Sequence, residues 1–132
     1  MERSLGAARN LFIKCLHEKG IVGEVEKLIL FELHAFLETT LNLKEPIYIF
    51  LDTPIEECIK RVERKADREQ FFIDVDLLEG IERLTKEWKT DLRIRGKKFY
   101  EIDGKLEVME IQREIEFLIE YERLNKIYSE NR

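Results

Sequence analysis

Apolar residues recur along this chain in blocks whose spacing changes from helical to strand-like and back. Between Ala7 and His17, residues Leu11, Phe12, Cys15 and Leu16 share one face at helical spacing, which predicts a helix. Gly20 and Gly23 punctuate its end. Glu24 to Leu41 predicts a second, longer helix that is apolar almost all round: Val25, Leu28, Ile29, Leu30, Phe31, Leu33, Phe36 and Leu37. A helix apolar on every side is expected to be buried on every side, against a partner as well as the core.

Beyond Pro46 the period changes. Ile47-Tyr48-Ile49-Phe50-Leu51 is a continuous apolar run, the pattern of a parallel strand covered on both faces. Thr53-Pro54-Ile55-Glu56 then reads as an N-cap, a first-turn proline and a capping-box glutamate, opening a helix to about Lys65 with Ile55, Cys58, Ile59 and Val62 inward. Lys65 to Phe72 is charge-rich and predicts a mobile loop. Asp76-Leu77-Leu78-Glu79 reads as a second capping box, for a helix burying Leu77, Ile81, Leu84 and Trp88. Lys98 to Ile102 predicts another strand, closed by Asp103-Gly104, and Leu106 to about Tyr128 a final helix with Val108, Ile111, Ile115, Leu118 and Ile119 as its apolar stripe.

Strands alternating with helices indicate one α/β domain over 1–132, a partial parallel sheet flanked by helices and helix-rich overall. Two interior strands do not make a stable sheet. The expectation is that Met1 and Glu2 end a third strand, and that this strand's earlier residues and its neighbours are missing.

Composition narrows the function. The hydrophobic fraction of 44% suffices for a core, and 39% charged residues with two prolines suit a helix-rich soluble protein. The formal charge of −5 argues against general nucleic-acid binding, which requires net phosphate neutralisation. No apolar run reaches membrane-spanning length and no signal peptide is visible, so the expected setting is the reducing cytosol. There Cys15 and Cys58 are read as buried free thiols, a lone disulfide being the alternative. His17 and His34 have no Cys, His or carboxylate cluster at ligand spacing and read as structural or exposed. None of the six glycines falls in a Gly-x-x-x-x-Gly-Lys-Ser/Thr loop.

Four blocks carry a family likeness: ERSLGAARNLF, GIVGEVEKLILFELHAFL, PIYIFLDTPIEECIKRVERK and IDVDLLEGIERLTKEW. In this order and spacing they resemble the deoxynucleoside kinases, P-loop enzymes that phosphorylate the 5′-hydroxyl of a deoxynucleoside with ATP and magnesium. The resemblance implies a P-loop kinase-like sheet and covers the C-terminal half to two thirds of a typical member. It places Glu2 and Arg3 at the reaction centre, the glutamate near the metal and the arginine holding the catalytic carboxylate and the phosphoryl acceptor. A guanidinium suits that role because it stays charged and donates bidentately. Ala8 falls where pyrimidine-preferring and broad-specificity members carry a small residue, which implies a pyrimidine-type substrate.

The departures bear on activity. The phosphate loop, the upstream carboxylate that deprotonates the 5′-hydroxyl and the base-reading residues are absent from these 132 residues. The lid of the family, about 64–72 here, aligns Lys65-Ala66-Asp67-Arg68-Glu69-Gln70 with an Arg-x-Arg and paired glutamates. Asp67 replaces the second arginine. Gln70 replaces the glutamate on the sugar 3′-hydroxyl, unless a one-residue slip gives that role to Glu69. Arg61, Arg64, Lys65 and Arg68 are either a lid remnant that attracts a polyphosphate or a solvated helix face paired with Glu56, Glu57 and Glu63. Asp103 is either in the adenine-binding loop implied by the resemblance or an ordinary turn aspartate.

Losing one transition-state arginine costs about a thousandfold or more, and losing the phosphate loop removes nearly all positioning and electrostatics. The expectation is a kinase-like chain that does not catalyse the reaction alone, with Met1 an internal methionine of a split or mis-started reading frame. The rival expectation is a helical interaction module, pairing with itself as a homodimer, with a complete kinase subunit or with a complementing N-terminal polypeptide.

Overall fold

The computed structural model describes residues 4–42, 46–69 and 74–131. A continuous helical rod opens the chain, made of α1 (Leu5–Ala7), a π-helical segment (Ala8–Ile13) and α2 (Lys14–Glu18). Ser4 caps it by accepting a hydrogen bond from Ala7 N at 3.1 Å. Next come α3 (Glu24–Thr40), β1 (Tyr48–Asp52), α4 (Ile55–Glu69), α5 (Val75–Ile94), β2 (Phe99–Asp103) and α6 (Val108–Glu130). Both predicted strands are present, each one residue later than expected. Their ladder runs on through Asp52 and Asp103 because backbone hydrogen bonds are indifferent to the side chain.

The strands pair in parallel, Tyr48 opposite Phe99 and Asp52 opposite Asp103, with α4 and α5 in the connection between them. Alternate side chains divide the sheet's faces. Tyr48, Phe50 and Phe99 pack on a core of Leu11, Cys15, Leu84, Trp88 and Leu92. The Trp88 indole anchors it, edge-on to Tyr48 at 4.8 Å and to Phe50 at 5.1 Å between centroids. On the opposite face Ile102 is buried under α6, whereas Ile49 and Leu51 stand 40% and 54% exposed. Both cysteines are free thiols, Cys15 buried and Cys58 half-buried.

Three expectations need correction. Residues 65–69, expected as loop, continue α4, whose glutamates and lysines are good helix formers; the rest of the expected lid, 70–73, lies outside the described residues. The cap of α5 is Asp74 rather than Asp76. Asp74 accepts from Leu77 N at 3.0 Å, and its other carboxylate oxygen pairs with Lys19 at 2.7 Å. Either aspartate could cap this turn, and the ion pair with the end of α2 selects the earlier one. Finally, α3 is not buried all round. Of its residues only His34 is buried, while Val25, Leu28, Ile29, Leu33 and Phe36 are more than half exposed. The helix packs beside the opening rod, which covers one side of an apolar cylinder.

α6 is likewise without a buried residue. Its apolar stripe is only partly covered: Ile111, Ile115 and Leu118 are half-buried, Val108 and Ile119 exposed. It is held to β2 by Glu122, whose carboxylate takes hydrogen bonds from Lys98 and the Tyr100 hydroxyl. Those two donors hold Glu122 below the usual carboxylate range, and the carboxylate raises the Tyr100 phenol.

Candidate functional site

In parallel α/β sheets ligands bind outside the carboxyl ends of the strands. Here that end is built from Asp52, Thr53, Asp103 and Gly104. Gly104 N donates to Asp52 O at 2.7 Å, closing the turn after β2 onto the end of β1. A Cβ at Gly104 would lie 1.8 Å from Thr53 Oγ1, so only glycine lets the two strand ends meet. Arg61, in the second turn of α4, donates from Nη2 to the Gly104 carbonyl at 3.0 Å and from Nε to Glu57 Oε1 at 3.0 Å. Asp103 Oδ1 accepts from Lys105 N at 2.9 Å, the geometry of an ordinary turn aspartate.

The structure therefore brings Arg61 together with the Asp103-Gly104 turn. Lys65 lies on the exposed part of α4, and Arg68 and Glu69 fall in its last turn. Ala8 is half-buried on the rod that begins beside Tyr48, at the opposite end of β1 from Asp52, about 13 Å along the strand. Glu2, Arg3 and Gln70 lie outside the described residues.

Sequence reasoning missed a buried lysine near this end. Lys89 is 8% exposed; its ammonium lies 3.2 Å from Glu101 Oε1 and 5.2 Å from the centre of the Phe50 ring. A charge removed from water needs such a partner. The available signal was its place next to Trp88 on the inward side of α5, with a glutamate at the matching position of β2. The pair borders a groove of about 560 Å³ between β1, α4 and α5, lined also by Asp52, Thr53 and Cys58.

His34 and His17 take structural roles. His34 Nε2 donates to Leu5 O at 2.8 Å, with Glu38 3.7 Å from its Nδ1, pinning α3 to the opening rod. His17 Nδ1 donates to Val22 O at 3.0 Å across the turn before α3.

Tested against magnesium and a nucleoside triphosphate, the described residues of this strand end do not by themselves make a complete site. The Arg61 guanidinium bonds to Gly104 and Glu57, Asp103 to its own turn. Among the described residues no group of three or more His, Cys, Asp or Glu side chains is placed to hold a metal. No helix among them is long and apolar enough to cross a membrane.

A parallel strand pair with helices in its connection is the arrangement of an α/β domain. Comparison with known proteins specifies the class: the deoxynucleoside kinase family model matches residues 1–128, and the chain belongs to that family. It is 31% identical over 88 residues to mitochondrial thymidine kinase 2 of Macaca fascicularis and 30% identical over 88 residues to that of Homo sapiens, each match covering 67% of this chain and 33% of the relative. A probable deoxycytidine kinase of fowlpox virus is 24% identical over 129 residues, which is 98% of this chain and 52% of that protein. The chain thus spans about a third to a half of the length of these relatives.

Proposed function

We propose that these residues form the lid-and-acceptor part of a deoxynucleoside kinase whose reaction is ATP-dependent, magnesium-assisted 5′-phosphorylation of a pyrimidine deoxynucleoside in the cytoplasm. The observation that carries the reading is the strand end itself, where Arg61 of the helix leading into the lid meets Gly104 beyond β2. Glu2 and Arg3 act at the reaction centre, Ala8 leaves room at the base, Glu69 or Gln70 serves the sugar, and Lys65 and Arg68 attract the polyphosphate. No glycine-rich phosphate loop occurs in the 132 residues, so they do not perform the transfer unaided. The terminal phosphates must be cradled by other residues, of the same polypeptide or of a partner. The test is transfer of labelled phosphate from ATP to thymidine or deoxycytidine. The 132-residue protein alone should give no product above a protein-free control; product at kinase-like turnover would refute the reading.

A second reading is supported by a separate observation. The exposed apolar face of α3 and the uncovered Ile49 and Leu51 of β1 suit an interaction module that pairs with a complete kinase subunit, a complementing segment or a second copy. Light scattering on the purified chain tests it, a monomer indifferent to added kinase counting against it.

A further inference from the structure

α3 has two unlike sides. It rests on the opening rod, and Lys27, Leu30, Phe31, His34 and Leu37 are its buried or half-buried positions. His34 bonds to the first turn of the rod, and Arg9 of the rod lies over the Phe31 ring. The opposite side carries Val25, Ile29, Glu32 and Phe36, spaced four, three and four residues apart, which makes one continuous stripe on a helix. Val25, Ile29 and Phe36 are each more than half exposed, as are Leu28 and Leu33 beside them. A contiguous apolar surface of this kind marks an interaction site, which scattered single residues do not. We infer that this stripe docks a basic amphipathic helix of another polypeptide, with a lysine or arginine of that helix against Glu32. The inference rests on the interaction-module reading above and names the chemistry of the partner.

Charge selects that partner. Glu32 sits within the apolar stripe, and Glu26 borders it one turn before Ile29; both are exposed. Neither carboxylate has a hydrogen-bond or ion-pair partner among the described residues. The other glutamates of α3 are engaged, Glu24 by His17 and Lys27 and Glu38 by His34. Lys27 is the only lysine of the helix, and it lies on the inward side with Glu24 3.3 Å away. The outward surface of α3 therefore presents two carboxylates and no cation of its own.

A wholly apolar helix laid on the stripe would take Glu32 out of water without a counter-ion, which is costly. A helix bearing lysine or arginine at the facing position supplies the counter-ion and buries the apolar residues together. A second copy does not fit. A closed pairing sets the same patch against itself, so Glu26 and Glu32 would meet like charges. The residues that admit a basic partner thus exclude self-pairing, as a charged seam position does in paired helices. An anionic lipid surface is repelled for the same reason.

The probe is a fluorescent peptide of about 21 residues, three heptads long, with leucine at the a and d positions, lysine at one central a position and lysines on the flanks. A second peptide has every lysine replaced by glutamate. In fluorescence anisotropy the 132-residue protein should bind the lysine peptide saturably, at least about tenfold more tightly than the glutamate peptide. Glu32→Lys should reverse that preference with the far-ultraviolet circular dichroism unchanged. Glu114→Lys, the same change of net charge on the exposed side of α6, should retain it. No saturable binding of the lysine peptide, equal binding of the two peptides, or an unaltered preference in Glu32→Lys would overturn the proposal. So would a wild-type dimer that dissolves in Phe36→Ser, or adsorption to phosphatidylserine vesicles with no response to either peptide. Such a dimer, or a preference for the glutamate peptide, leaves the interaction-module reading standing. A monomer indifferent to both peptides and to added kinase ends both.

Discussion

Arg61 and Gly104 are joined by a hydrogen bond from guanidinium Nη2 to carbonyl oxygen, and this one contact ties α4 to the turn that leaves β2. The same guanidinium holds Glu57 one turn earlier. Arg61→Ala should cost about 1–2 kcal/mol in urea unfolding, since it leaves a turn carbonyl without its charged donor. Arg61→Lys should recover little, because a single ammonium does not span both acceptors as the planar fork does.

Two glycines mark close approaches of different kinds, and their alanine variants should behave differently. At Gly6 the nearest obstacle is the Tyr48 hydroxyl, the far end of a side chain. Gly6→Ala should destabilise by about 1–3 kcal/mol, with part of the loss recovered when Tyr48→Phe is added. At Gly104 the obstacles include Thr53 Cβ at 3.0 Å and the Asp52 carbonyl at 3.2 Å as well as the Thr53 hydroxyl. Gly104→Ala should cost at least as much, and Thr53→Ser should not rescue it. Thermal unfolding of the single and double variants checks both statements.

The Lys89–Glu101 pair is asymmetric, the lysine buried and the glutamate 39% exposed at its side chain. Glu101→Ala leaves an ammonium without its counter-ion and should cost about 1–3 kcal/mol. Lys89→Met fills the same space without a charge and leaves a carboxylate that water still reaches, so it should be close to neutral. Equal losses in urea unfolding would contradict this account of the pair.

The Lys19–Asp74 pair gives a pH signature. The hydrogen bond from Lys19, then that from Leu77 N, holds the Asp74 carboxyl below its ordinary value of 3.8, and the hydrogen bond to Asp74 raises Lys19 above its ordinary 10.5. A depressed carboxyl stabilises the fold above its unfolded pKa, and that contribution is lost as pH falls through the lower folded value. A raised lysine stabilises below its unfolded pKa, and that contribution is lost as pH rises through the higher folded value. The pair therefore contributes fully between these limits. Asp74→Asn keeps a competent helix cap but not the charge. It should flatten both limbs of the urea midpoint measured against pH, and unaltered limbs would show that the pair does not link stability to pH.

Much of this fold was legible in the sequence because its signals are local. The apolar run at Ile47–Leu51 and the run Lys98–Ile102 marked both strands, and the spacing of Leu77, Ile81, Leu84 and Trp88 marked the inward face of α5. What the sequence hid depends on distant partners. Asp74 became the cap because Lys19 sits 55 positions earlier. The exposure of α3 depends on how little of the chain lies against it. Lys89 drew no reading from the sequence, because its partner Glu101 lies on β2 and only the fold brings the two together. At the candidate strand end the sequence left Arg61 between a lid remnant and a solvated helix face, and Asp103 between an adenine-binding loop and a turn aspartate; the Arg61–Gly104 bond spans 43 positions and no local pattern announces it. The π-helical turn at Ala8–Ile13 has no periodic signature of its own.

The central claim is that these residues share the ancestry of a phosphoryl-transfer enzyme without holding the terminal phosphates of its donor. Calorimetric titration of the purified 132-residue protein with ATP, with and without magnesium, tests this most directly. The account predicts no tight association and no dependence on the metal. Saturable binding that appears only when magnesium is present, at the affinity of a working kinase, would contradict it.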